Sequence, residues 1–380
     1  MIKSSIVKLS SGIRFSSRSL SRLVNQPNIL DDECSVSRMS EKIVHVITSV
    51  GRWKEKPSGL DFDVSYLDIY PRCMPEATRK SAPVILYLTG YISNHKPVKH
   101  FLLKLADHTN CRVVAPLWPG LCDASQGRST HDSDFFGHTV GEYAELAVNF
   151  LSATNIIPKK QPLVSIVAHS GGCHAALFLG SRMSHITKSF VLLSPSAPRP
   201  LSKFGYEWLH RFVAKSWENK STRVIVRPVI AAGVYFSPFR GFLSTDEAAA
   251  LAQATLRVQR DAIMEAALDV TKRQIPLLLV YSDYDEWIPL ADSLAIAGCL
   301  NLHPHSKPGR ASTQRVEIIK GVAKQICDVP HTIDTIYDNA YMPRQAIRIV
   351  KGGNHWPQRK CPDLVLQRIS QMIDYCNRTY

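Results

Sequence analysis

The apolar run Leu163-Val-Ser-Ile-Val-Ala168 stops at His169-Ser170-Gly171-Gly172, and a helix-forming stretch, Ala175-Ala-Leu-Phe-Leu179, follows almost at once. A strand that gives way to a helix in so few residues must turn sharply. The residue at the apex is then held out from the backbone, its Oγ exposed and its Cβ crowded. The positions two before and two after it must be small, or strand and helix collide. Ala168 and Gly172 meet that need, with Ala standing where the strict pattern has Gly. A bare small-x-Ser-x-small pentamer arises readily by chance. One that closes a buried-strand pattern and opens a helix is far more specific.

The rest of the chain carries a compatible pattern. Strand-like runs fall at 43–49, 62–69, 84–89, 112–117, 163–168, 190–193, 277–281 and 346–350. Helical spacing covers 97–110, with Pro97 suited to a first turn. Another helix is expected from Thr139, where Thr139 and Glu142 form a capping box. A third follows Ser170, and 362–377 closes the chain with Leu364, Val365, Ile369, Met372 and Ile373 on one face. Two early strands followed by β-α-β-α units argue for an α/β fold with a mostly parallel sheet covered on both faces. Residues 42–194 and 276–380 read as its core. The alternation stops between Pro195 and Pro276, in a stretch containing Pro198, Pro200, Pro228 and Pro238. A capping box at Ser244 and Glu247 then opens a helix whose apolar face is Leu251, Leu256, Ile263, Met264 and Leu268. Residues 195–275 are therefore expected to form a helical cap insertion. A stretch near 302–340 is weakly patterned and reads as a further insertion.

Charge is unevenly spread. Residues 1–30 hold Lys3, Lys8, Arg14, Arg18 and Arg22 and no acid, and these five taken from the net +14 leave +9. With Ile2, Ile6, Leu9 and Ile13 at helical spacing, this segment reads as an organelle transit peptide or a basic tail. Mitochondrial localisation is the first expectation, with plastid or cytoplasm as alternatives. The remaining basic residues are dispersed rather than massed with aromatics, which disfavours nucleic acid as a partner. No apolar run reaches the ~18 residues of a membrane helix, though the basic surplus suits peripheral contact with anionic lipid. Nine cysteines without a Cys-x-x-Cys pair favour free thiols over a disulfide framework. The histidines lack His-x-x-x-His spacing, so neither a metal nor another cofactor is expected.

A serine hydroxyl is a poor nucleophile until a base takes its proton and a carboxylate orients that base. Two further strand ends supply candidates: Ser282-Asp-Tyr-Asp-Glu-Trp-Ile-Pro289, with Asp283, Asp285 and Glu286, and Gly352-Gly-Asn-His-Trp-Pro357, with His355. Parallel strand ends bring such loops to one edge. On these segments the chain resembles the α/β-hydrolase superfamily, as an esterase- or lipase-like member, over roughly 43–376. The resemblance makes Ser170 the nucleophile. It makes Asp285, four residues before a Pro, the acid in preference to Asp283, and His355 the base. It also implies an oxyanion hole from the N–H groups of Gly171 and Tyr91, the latter in the segment Leu88-Thr-Gly-Tyr91, where Thr89 replaces the usual His. Thr89, Gly90, His174 and Trp356 are candidate pocket residues. His169 reads as a packing residue.

The implied activity is cleavage of an ester or related acyl bond through an acyl-enzyme. Serine at the elbow argues against the dehalogenase and epoxide-hydrolase branches, which use Asp there. Trp208, Trp217, Phe236 and Phe239 in the cap suggest an apolar pocket and a small, lipid-like acyl substrate. Acyl transfer or thioester hydrolysis would use the same three residues, and a non-catalytic binding protein on the same scaffold is the alternative outside enzymology. Oligomeric state is not encoded in any of these patterns.

Overall fold

A computed structural model describes residues 38–379 apart from 49, 53, 55–56, 92–97, 120–135, 157–162, 197–206, 219, 237–242, 283–284, 301–313, 321–344 and 352–354. The expected transit segment 1–30, Pro97, Phe239 and Asp283 lie outside the described residues. Each expected strand run overlaps a strand: β1 (Met39–Thr48), β2 (Leu60–Ile69), β3 (Val84–Leu88), β4 (Arg112–Pro116), β5 (Ser165–His169), β6 (Phe190–Leu193), β7 (Leu277–Ser282) and β9 (Gln345–Lys351). With one more strand, β8 (Gln314–Lys320), they form one sheet in the order β1-β2-β4-β3-β5-β6-β7-β9-β8. Only β2 runs against its neighbours; every other pairing from β4 to β8 is parallel.

The added strand, β8 (Gln314–Lys320), corrects the reading of 302–340 as a weakly patterned insertion. Among the described residues it pairs with β9 alone, from Gln314↔Gln345 to Lys320↔Lys351. An edge strand with one neighbour is under less demand for a continuous apolar run, and Gln-Arg-Val-Glu-Ile-Ile-Lys alternates too briefly to stand out.

Side chains alternate across the sheet. Leu86, Leu88, Ile166, Ala168, Leu192 and Leu279 face one apolar layer with α2 (Val140–Ala153) and α3 (Gly172–Arg182). Ile85, Tyr87, Val167, Val191, Leu193 and Val280 face the other, against α1 (Lys99–Thr109) and the helix Pro362–Thr379. The buried stripe of that last helix is Val365, Leu366, Ile369, Met372, Ile373 and Cys376, with Leu364 half-buried beside it. Both capping boxes form. Thr139 Oγ1 accepts from Glu142 N–H at 3.3 Å while Glu142 Oε2 accepts from Thr139 N–H at 3.0 Å, and Ser244 and Glu247 repeat the pattern.

Between β6 and β7 the structure differs from the sequence expectation. Two helices, α4 (Glu207–Glu218) and α5 (Lys220–Phe236), precede the expected one, and Pro228 stands inside α5. The expected single helix is two, α6 (Thr245–Leu256) and α7 (Arg260–Lys272). Each has its own buried face, that of α7 being Ile263, Ala266, Ala267 and Val270, and Leu268 is exposed. The described aromatics of this stretch do not converge either. Trp217 is buried with Val226, Ile230 and Ala249 in a small satellite core, whereas Trp208 and Phe236 are 65% and 84% exposed. No helix among the described residues is long and apolar enough to cross a membrane.

Candidate active site

The turn after β5 is as sharp as its sequence demands. Ser170 has φ 52°, a left-handed conformation that costs an L-residue about 1–2 kcal/mol and is kept only where the surroundings enforce it. Here Ser170 N–H donates to Leu193 O at 3.0 Å, and its own carbonyl accepts from Cys173 N–H at 3.0 Å and Ser196 N–H at 3.2 Å. The need for small neighbours is literal. A Cβ on Gly172 would sit 2.5 Å from Leu88 O and 2.6 Å from Thr89 O.

The three distant segments meet at this turn. His355 Nε2 lies 2.9 Å from Ser170 Oγ, and His355 Nδ1 lies 2.8 Å from Asp285 Oδ2. The other carboxylate oxygen, Oδ1, accepts from Trp287 N–H and Ile288 N–H, both at 2.8 Å. Burial pushes the Asp285 carboxyl up, but the His355 contact and the two amides outweigh it and hold the group below its ordinary range. An ionised Asp285 only accepts, so Nδ1 of His355 carries the proton and Nε2 is free to accept from Ser170. Asp285 and His355 are 8% and 1% exposed, which withdraws the pair from competing water.

Gly171 is the N-cap of α3, and the amides at a helix start have no partner within the helix. A Cβ on Gly171 would meet the Tyr91 ring at 2.5 Å, and one on Gly90 would meet Ser170 Cβ at 2.8 Å. The Thr89-Gly90-Tyr91 segment thus lies directly against the elbow. It is pinned there by Trp118, whose Nε1–H donates to Thr89 O at 2.7 Å, and by Tyr143, whose ring centroid is 5.2 Å from that of Tyr91.

Of the candidate pocket residues, Thr89 and Gly90 border the serine, and Trp356 stacks on His169 at 4.4 Å. His174 is fully buried and its Nε2 is taken up by Ser196 O at 2.9 Å. Burial holds its pKa down at about 4. Two neighbours went unread in the sequence. Trp287 lies flat on the His355 ring, centroids 5.1 Å apart at 12°, and Trp118 braces the facing loop. Trp287 sits inside the acid segment, yet a single aromatic has no period that marks it. No group of three or more metal-ligating side chains occurs among the described residues.

A profile of the alpha/beta hydrolase family matches residues 88–368. No curated protein sequence matches the chain. Solved structures that share the architecture include a peroxisomal alpha-beta-hydrolase from Saccharomyces cerevisiae (14% identity, 90% of this chain and 91% of that one, TM-score 0.55). A haloalkane dehalogenase from Bradyrhizobium elkani is 12% identical over 90% of this chain and 100% of that one, TM-score 0.55. A thermophilic esterase from Thermogutta terrifontis is 14% identical over 88% and 99%, TM-score 0.52. At such identities the likeness concerns fold, and the chemistry must be argued from the site.

Proposed function

The chain belongs to the alpha/beta hydrolase family, and we propose that it is a serine hydrolase cleaving a carboxylic ester or related acyl bond through Ser170, His355 and Asp285. Ser170 Oγ attacks the acyl carbon as its proton passes to His355 Nε2. Negative charge then develops on the former carbonyl oxygen, where the N–H groups of Gly171 and Tyr91 are the proposed donors. Such preorganised donors each contribute about 3–4 kcal/mol to the lowering of a barrier. His355 returns the proton to the departing alkoxide, leaving an acyl-serine and a free alcohol. Water repeats the sequence: it gives a proton to His355, attacks the acyl carbon and releases the acid with Ser170 restored. Asp285 stabilises the imidazolium formed in both halves.

The observation that carries this reading is the unbroken line from Ser170 Oγ through His355 to Asp285, at 2.9 and 2.8 Å. An apolar or lipid-like acyl chain is the proposed substrate class. Its support is the apolar surface of the helices between β6 and β7, which leaves Val224, Ile225, Val229 and Phe236 exposed. Those helices are the proposed cap.

A fluorophosphonate probe tests the chemistry, because it reacts with an activated serine and not with an ordinary one. The wild-type chain is expected to label covalently, and Ser170→Ala to lose labelling while changing stability by less than about 1 kcal/mol. A folded wild type that fails to label removes the reading and leaves a binding role on the same scaffold. A series of p-nitrophenyl esters of graded acyl length then tests the substrate class, with rates expected to favour the longer chains.

A further inference from the structure

His169 is the last residue of β5 and the immediate neighbour of Ser170, yet the steps above give it nothing to do. It is fully buried. Its Nε2 lies 2.9 Å from the main-chain oxygen of His355. A carbonyl oxygen only accepts, so Nε2 carries the proton and donates. The ring also stacks on Trp356, the residue after His355, at 4.4 Å and 26°. Nδ1 has no hydrogen-bond partner among the described residues and faces Gly90, where a Cβ would lie 3.4 Å away. His169 therefore stands between the segment that carries His355 and the segment beside the elbow. Burial, with the neighbouring His355 in second place, holds its pKa down at about 3, so it stays neutral and keeps one N–H.

From this arrangement we infer that His169 is a positioning residue, whose Nε2–H fixes the backbone of His355 to the strand that carries Ser170. This rests on the serine-hydrolase reading. Asp285 and Trp287 orient the imidazole ring. The bond from His169 holds its main chain and refers the position of the base to β5 itself. Nucleophile and base then share one rigid support, and the distance between Oγ and Nε2 is referred to the end of β5 and the residue that follows it. A misplacement of about 1 Å at such a contact costs about 100-fold in rate.

Three variants separate the donor from the ring. His169→Phe keeps the ring and removes the N–H. His169→Gln places an amide N–H near the position of Nε2 without a ring. His169→Asn has an amide too short to reach. With a p-nitrophenyl ester, kcat is expected to fall about 10- to 100-fold in the Phe and Asn variants with KM within about twofold, and to stay near wild type in the Gln variant. Activity that follows the donor and not the ring is the supporting result. Wild-type kcat in folded His169→Phe, or an equal loss in the Gln and Asn variants, overturns the inference. If His169→Phe does not fold, the Gln and Asn pair decides. A wild type with neither turnover nor fluorophosphonate labelling overturns the hydrolase reading and this one with it. Normal wild-type turnover with either negative result overturns this one alone.

Discussion

Asp285 divides its two oxygens between different tasks, and this makes one substitution especially informative. In Asp285→Asn the amide oxygen still satisfies the two amides of Trp287 and Ile288, so the NH2 group is left facing His355 Nδ1. A donor there forces the imidazole proton onto Nε2, where it blocks acceptance from Ser170. The expected result is a loss of kcat of roughly 10⁴ with a folded protein, measured by steady-state kinetics. At this scale the sequence was legible wherever local geometry imposed a residue type. The elbow at 168–172 could be read because few side chains tolerate it. The choice of Asp285 over Asp283 depended on the spacing to Pro289, because both carboxylates sit in the same short loop. Trp287 and Trp118 were illegible, since what makes them matter is a partner far along the chain, His355 for the first and Thr89 for the second.

Secondary structure elements here are positioned by close approach of backbones. Gly172 lets the start of α3 lie against the end of β3, and no side-chain adjustment can accommodate a methyl group 2.5 Å from a main-chain carbonyl. Gly172→Ala is expected to destabilise the fold by about 1–3 kcal/mol, read by urea denaturation. Gly141 is the contrast. In the first turn of α2, a Cβ there would find only Thr139 Oγ1, at 4.0 Å. Gly141→Ala is expected to stabilise by about 0.4–1 kcal/mol in the same assay. Elements with strong local signals were readable in advance. The capping boxes at Thr139 and Ser244 involve residues three apart, and both form. The division of α6 from α7 was hidden because the apolar spacing runs on through Arg257-Val-Gln259 although the buried face changes. The strand β8 was hidden for the opposite reason, since what defines it is its pairing with β9.

For the whole molecule, buried neutral histidines set a limit in acid. Burial holds His138 and His169 down at about 3 and His174 at about 4, against an ordinary value of about 6.5. Below that value the unfolded chain takes up protons that the folded chain refuses. Stability is therefore complete above about pH 6.5 and is lost as pH falls toward the folded values, at up to about 1.4 kcal/mol per pH unit for each histidine. His138→Asn tests this with little disturbance. Asn tolerates the left-handed backbone at φ 53° and can reach Tyr143 OH as Nδ1 does. Its thermal melting point is expected to depend less steeply on pH below 6.5 than that of wild type. The gross architecture was the most readable property of all, because parallel strands buried on both faces announce themselves as apolar runs. The separation of 185 residues between Ser170 and His355 has one more consequence. Under the proposed function, ester turnover is a sentinel for the far side of the sheet: a molecule that has begun to fray around β7 and β9 falls silent while the strands beneath Ser170 are still intact.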